Sequence, residues 1–333
     1  MFVRNRTGLP VRLAHGHLSD DFAVGSVNLE SAFALGEGRL APVPLPPRTD
    51  ADPPDIGGYP LWDGVSVTAN GSVVCPSAPP FVQPVVVTVG AEVERLAVFG
   101  PRRWTRSFGG GVLRPSPPER FDHLPMTWDH AFGGAFVLPP GLLFGTDLPH
   151  PGGRVAYTLN EQGVGFYADE ASASEHTLPR IERAEGLVQH WNDRPEPSGL
   201  APCPQLAALR LSHQARRMGE RPTVNPTEVA PVDATVVLSL LHHAPPRLIV
   251  REPPPLTSVS LDGFASGPIR FEIPESPIEV VVRIGKVGEP VRPRLRSVHV
   301  DAARRLVRVT HGHMFRYSPD QAPAWILVTR REQ

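Results

Sequence analysis

Apolar and small residues alternate over 22–35 (FAVGSVNLESAFAL), break at Gly36-Glu37-Gly38 and resume as RLAPVPL. Two period-two runs either side of such a turn predict a β-hairpin, because successive strand side chains face opposite ways. The next run, LWDGVSVTANGSVVCP over 61–76, contains Asn70-Gly71, a residue pair suited to a tight hairpin turn. PVVVTVG then leads through a short turn at 91–94 to RLAVFG. Val85, Val86, Val87 and Val89 are β-branched and dense, which suits a buried strand better than a helix.

Beyond 256 the same patterning returns as FEI, IEVVVRI, LRSVHV, a turn at 301–304, LVRVTHGHMFRY and AWILVTR. Between these halves, 135–232 is irregular and broken by PPG, HPGG, DRPEPSG and APCP. The one helical stripe there is 204–218, and DATVVLSLLHHA from 233 fits a strand or a short helix, its Val and Leu run before Pro-Pro favouring the strand. The expectation is a mainly β chain: an antiparallel β-sandwich or open barrel with long Pro/Gly-rich loops and little helix. Three regions follow: a β-rich 1–134, a loop-rich insert 135–232 and a β-rich 233–333, whose strands can join the first region in one domain.

Composition sharpens this picture. The 333 residues include 41 Pro and 30 Gly. Proline at about twice its usual share excludes long helices and central strand interiors. The net charge of −1 argues against a general nucleic-acid or acidic-membrane binder, and Lys286 is the only lysine, so the positive charge is almost all arginine. The N-terminus lacks a continuous apolar core and no 18-residue apolar run occurs, so no signal peptide or membrane helix is expected and the cytoplasm is the default location. Cys75 and Cys203 lack any C-x-x-C context and read as free thiols.

Several residues invite chemistry. His15-Gly16-His17 and His311-Gly312-His313 place two imidazoles on one strand face, the start of a metal site, but neither pair has a third ligand at convincing spacing. Asp122-His123 and Asp129-His130 join a carboxylate to an imidazole, yet adjacent residues of an extended segment face apart. Asp129 also suits a turn, where it would cap backbone amides. Gly109-Gly110-Gly111 lacks the Gly-Lys-Ser/Thr of a phosphate loop. No nucleophile elbow or H-E-x-x-H is present, so no catalytic residue, metal or cofactor is assigned.

The densest signal lies at 96–134, LAVFGPRRWTRSFGGGVLRPSPPERFDHLPMTWDHAFGG. It concentrates Trp104, Phe121, Met126, Trp128 and Phe132 in a chain otherwise poor in aromatics. Such a cluster is either a satellite core under long loops or a set of interface anchors. Gly100, Arg102 or Arg103, Trp104, Phe121, Leu124-Pro125-Met126, Trp128-Asp129 and Ala131-Phe132-Gly133-Gly134 resemble the pattern of the DUF2169 proteins. Those are adaptors and chaperones of type VI secretion systems. Asn160–Phe166 (NEQGVGF) and Leu178–Glu182 (LPRIE) resemble two further elements of that family. Pro101 stands where the family often has Asp, and the family's AP-x-D-Q is reduced to NPTEVAP at 225–231.

The resemblance implies a non-enzymatic adaptor that binds an effector or its PAAR-like domain and helps load it onto the VgrG spike. The residues it nominates for partner binding are Arg102, Arg103, Trp104, Phe121, Met126, Trp128, Asp129 and Phe132. Two other classes compete: a metal-dependent hydrolase using the His-x-His pairs, and a carbohydrate-binding β-sandwich.

Overall fold

A computed structural model describes residues 2–17, 23–36, 39–49, 52, 64–106, 111–137, 153–157, 159–203, 243–251, 253–286, 288, 290–318, 320, 323 and 325–330. The predicted helix at 204–218 lies outside these residues, as do the triglycine except Gly111 and most of the segment from 233.

The largest sheet has seven strands. Six run in the order Ile249–Val250, Val65–Asn70, Arg294–Asp301, Leu306–Tyr317, Ala23–Leu35 and Val11–His17, and Leu40–Val43 pairs with the far end of Ala23–Leu35. The first hairpin is therefore present, with Leu35 opposite Leu40. Ala23–Leu35 and Leu306–Tyr317 are its spine, paired over twelve registered positions. Strand alternation puts Val27, Leu29 and Phe33 on the same face as Val307 and Val309.

Two smaller sheets cover that apolar face. One has five strands in the order Ile181–Arg183, Glu92–Phe99, Val82–Val89, Ser258–Asp262 and Ile269–Glu272. Its Val85, Val87, Leu96, Val98, Leu261 and Phe271 share a core with Val67, Val298, Val300, Val307 and Val309 of the large sheet. The other has four strands, Phe2–Asn5, Trp325–Arg330, Ile278–Arg283 and Pro290–Val291, and packs Ile278, Val280, Ile326 and Val328 on Val27 and Leu29. The architecture is a sandwich of one long sheet under two short ones. Both ends of the sequence feed the same sheets: Val65–Asn70 lies between two strands from beyond residue 248.

Three expectations change in detail. The sandwich is not purely antiparallel, since Val65–Asn70 pairs in parallel with Arg294–Asp301, and Phe2–Asn5 with Trp325–Arg330. Such partners come from opposite ends of the chain, where no hairpin dictates an antiparallel return. Asn70-Gly71 is not a hairpin turn, because Ser72–Val74 leaves the large sheet to pair with His123–Pro125. A Cβ on Gly71 would lie 2.6 Å from the Phe264 ring, so close packing accounts for that glycine. The turn between Val82–Val89 and Glu92–Phe99 is tighter than the predicted 91–94, with Val89 opposite Glu92.

The other face of the large sheet is polar and also buried. Asn70 Nδ2 donates to His299 Nε2 at 3.2 Å, and His299 Nδ1 bonds the Thr68 hydroxyl at 2.9 Å. Beside them Arg308 donates to Asp52 at 3.1 Å and to the carbonyls of Pro46 and Pro47 at 2.9 and 3.1 Å, which ties these three residues to the sheet. Burial, with Arg308 and Arg48 nearby, pushes His299 down to about 4 despite Asp52. Burial pushes the Asp52 carboxyl up, but the Thr49 amide and Arg308 outweigh it and hold the group below its ordinary range.

Candidate functional site

Three stretches far apart in sequence meet on one side of the five-stranded sheet. The first is 99–134. Its His123–Pro125 strand pairs with Ser72–Val74, and Met126 accepts the amides of Leu200 and Ala201 at 3.0 Å each. Leu200 in turn accepts the amide of Ala69, so the segment is tied to the large sheet. Trp128 opens a 3-10 turn, Trp128–His130; its indole donates to Ala201 O at 2.6 Å and its ring lies flat under Gly199.

The second stretch is 160–166. Asn160 is buried, and its Nδ2 donates to the carbonyls of Trp128 at 2.7 Å and Phe132 at 3.1 Å. Its own carbonyl accepts the amide of Gly134 at 2.9 Å. Phe132–Gly133 and Val164–Gly165 form a short parallel pair. The approach is so close that a Cβ on Gly133 would fall 2.0 Å from the Asn160 carbonyl oxygen, and Gly133 has φ +153°.

The third stretch is 178–183. Arg180 N donates to His130 O, Leu178 N to Arg102 O and Phe99 N to Arg180 O. Strand Ile181–Arg183 then becomes the edge of the five-stranded sheet. Arg102 is buried with its guanidinium 3.6 Å over the Phe99 ring, and it pairs with Glu182 and donates to Pro179 O. Glu182 also accepts the Val188 amide at 2.8 Å. Burial pushes Glu182 up and Arg102 down, and each partner's charge opposes the shift in the other.

The interlocked stretches form a clasp. Trp104, Leu113, Phe132, Val155, Phe166 and Leu178 fill it as a satellite core separate from the sandwich. A groove of about 450 Å³ opens on its surface, lined by Gly133–Val137 on one wall and Gly163–Tyr167 on the other, with Arg154, Glu161 and Thr177 completing it. Arg154 and Glu161 pair at 3.2 Å. Val137 is 71% exposed, and Phe136 and Tyr167 are half-buried.

Of the eight residues nominated for partner binding, Arg102, Trp104, Phe121, Met126, Trp128 and Phe132 are buried, and Arg103 and Asp129 are exposed. Phe121 and Met126 belong to the sandwich core, and Trp128 packs with Ala201 and Cys203. Asp129 does not cap a backbone amide among the described residues; its carboxylate lies 3.6 Å from Nε2 of its neighbour His130. Burial moves His130 down, with Asp129 opposing. The groove residues Ala135, Phe136, Val137 and Tyr167 were not nominated; the signals beside them in the sequence are Gly133-Gly134 and the Asn160–Phe166 element.

The histidine pairs lie elsewhere. His311 is buried under the segment 273–277 that crosses between the two small sheets, where the Pro274 carbonyl supports its charge but burial pushes it down to about 4. His313 stacks against Phe315. Among the described residues no group of three or more His, Cys, Asp and Glu is arranged to hold a metal. Cys75 and Cys203 are thiols and not disulfide-bonded. No described helix is long and apolar enough to cross a membrane.

The three stretches of the clasp all fall within residues 52–311, the span over which the chain matches the family described as "Uncharacterized protein conserved in bacteria (DUF2169)". The chain belongs to the DUF2169 family. No curated protein and no solved structure matches it. Membership covers both walls of the groove and most of the sandwich beneath it.

Proposed function

We propose that this DUF2169 protein is a non-enzymatic adaptor of a type VI secretion system, which binds an effector or its PAAR-like domain and helps load it onto the VgrG spike. The resemblance of the 100–134, 160–166 and 178–182 elements to adaptor sequences supports the class of function. The observation that carries the reading is the interlocking of those three elements in one clasp, with a groove opening between the ends of the first two. A rigid body with a preformed concave surface suits recognition, because little ordering entropy is lost on binding. Cargo would sit against exposed Val137 and the half-buried Phe136 and Tyr167, with Arg103 and Asp129 on the same clasp, while the buried aromatics hold its shape.

Co-expression with the spike protein and the effectors encoded beside it, followed by size-exclusion chromatography, tests this. A complex that forms only when this chain is present is the expected result. Elution of the chain alone with every candidate would remove the adaptor reading.

A further inference from the structure

The two walls of the groove begin as a paired strand and then part. Phe132–Gly133 and Val164–Gly165 are hydrogen-bonded in parallel for two positions, after which Ala135–Val137 turns to pair with Arg154–Ala156. Among the described residues that strand pairs on one side only. Tyr157 N donates to Gly134 O at 2.9 Å, which sets the phase of the ladder. Bonded and non-bonded pairs alternate along an antiparallel ladder. Phe136 therefore turns its N–H and C=O toward Val155, and Ala135 and Val137 turn theirs outward. Neither of the two makes a further backbone hydrogen bond among the described residues.

Edges of this kind are commonly blunted by charge, proline or a covering element. Here the edge carries Ala135 and Val137, both exposed, and borders a groove. Gly133, Gly134, Gly163 and Gly165 line that groove as buried backbone packed on this chain's own atoms, so the groups open to a partner are those of Ala135 and Val137.

We propose that the outer edge of Ala135–Val137 accepts an extended segment of the protein partner as an added strand. The inference rests on the adaptor reading and names how that partner is held. The main-chain groups of 135 and 137 supply donors and acceptors at strand spacing, and Val137 with the Phe136 and Tyr167 rim selects the partner's side chains. The ionic groups at the groove, Arg154 and Glu161, neutralise each other. The incoming strand is therefore uncharged and rich in β-branched residues, matching Val137 across the ladder.

The test uses the full chain and the cargo with which it co-elutes, and measures affinity for three variants. Val137→Pro removes the outward N–H without touching the bonds to 154–156. Val137→Asp places a charge on the edge and leaves the backbone intact. Val137→Thr keeps both the N–H and the β-branch. The first two should weaken binding about tenfold or more, as loss of one hydrogen bond or burial of one unpaired charge requires, and the third should stay within about threefold. Wild-type affinity in both Val137→Pro and Val137→Asp overturns strand addition while leaving the adaptor reading in place. Should Val137→Pro misfold, wild-type affinity in Val137→Asp alone overturns it. Absence of any complex with wild-type chain removes both readings.

Discussion

Asn160 decides more at the clasp than its size suggests. Its amide bonds carbonyls 32 and 28 residues away, and its own carbonyl holds Gly134. Asn160→Ala would take the side-chain donor from the Phe132 carbonyl and leave the Trp128 carbonyl with the Ala131 amide, in a place water does not reach. The expected cost is about 2–3 kcal/mol in urea unfolding, with Asn160→Asp no better because a carboxylate cannot donate. The sequence marks Asn160 as the start of a family-like element, but its role depends on partners that only the folded chain brings together. Trp128 is similar: the pattern marks it as important, and the structure places it inside, with its indole N–H on Ala201. Gly133 and Gly134 were legible as the end of the family-like Ala131-Phe132-Gly133-Gly134 pattern. What approaches, the backbone of Asn160, was not.

At the scale of elements, most of the longer strands were readable from period-two alternation, including Leu306–Tyr317, Ile278–Arg283 and Trp325–Arg330, while the short strands between Trp104 and Arg183 were not. Pairing was less so, because alternation fixes which face a residue takes and says nothing of the neighbour. Asn70-Gly71 illustrates this: local turn chemistry favoured a hairpin, but the 121–126 segment takes Ser72–Val74 as its partner. The join between clasp and sandwich rests on the Arg102–Glu182 pair, which is buried on both sides. Removing one partner leaves an uncompensated buried charge. Arg102→Met and Glu182→Gln should each destabilise the chain by about 3–5 kcal/mol, and the double variant by clearly less than their sum. Additive losses in a double-mutant cycle would show that the two groups act independently.

The whole molecule combines one long sheet, two short covering sheets and a clasp at the side. Its polar face and its seam each hold a buried histidine, His299 and His311, both pushed to about 4 from 6.5. A histidine whose folded pKa is depressed stays neutral in the native state while the unfolded chain takes up a proton. Stability should therefore fall as pH drops from about 6.5 toward 4, by up to about 1.4 kcal/mol per pH unit for each histidine. The depressed Asp52 extends the loss below that window, since its folded form resists protonation. Glu94 and Glu182, raised by burial, bind protons earlier in the folded state and offset part of the fall. Urea midpoints measured from pH 7.5 to 4 would show the slope, and His299→Gln should make it shallower. A flat profile would mean that neither ring is held neutral.

The central claim is that the clasp groove is where this DUF2169 protein meets its partner. Hydrogen–deuterium exchange of the chain alone and in its co-purified complex tests it most directly. Slowed exchange in 131–137 and 160–167, with the sandwich strands unchanged, is the expected result. Protection confined to other surfaces, with exchange at 131–137 unaltered, would contradict it.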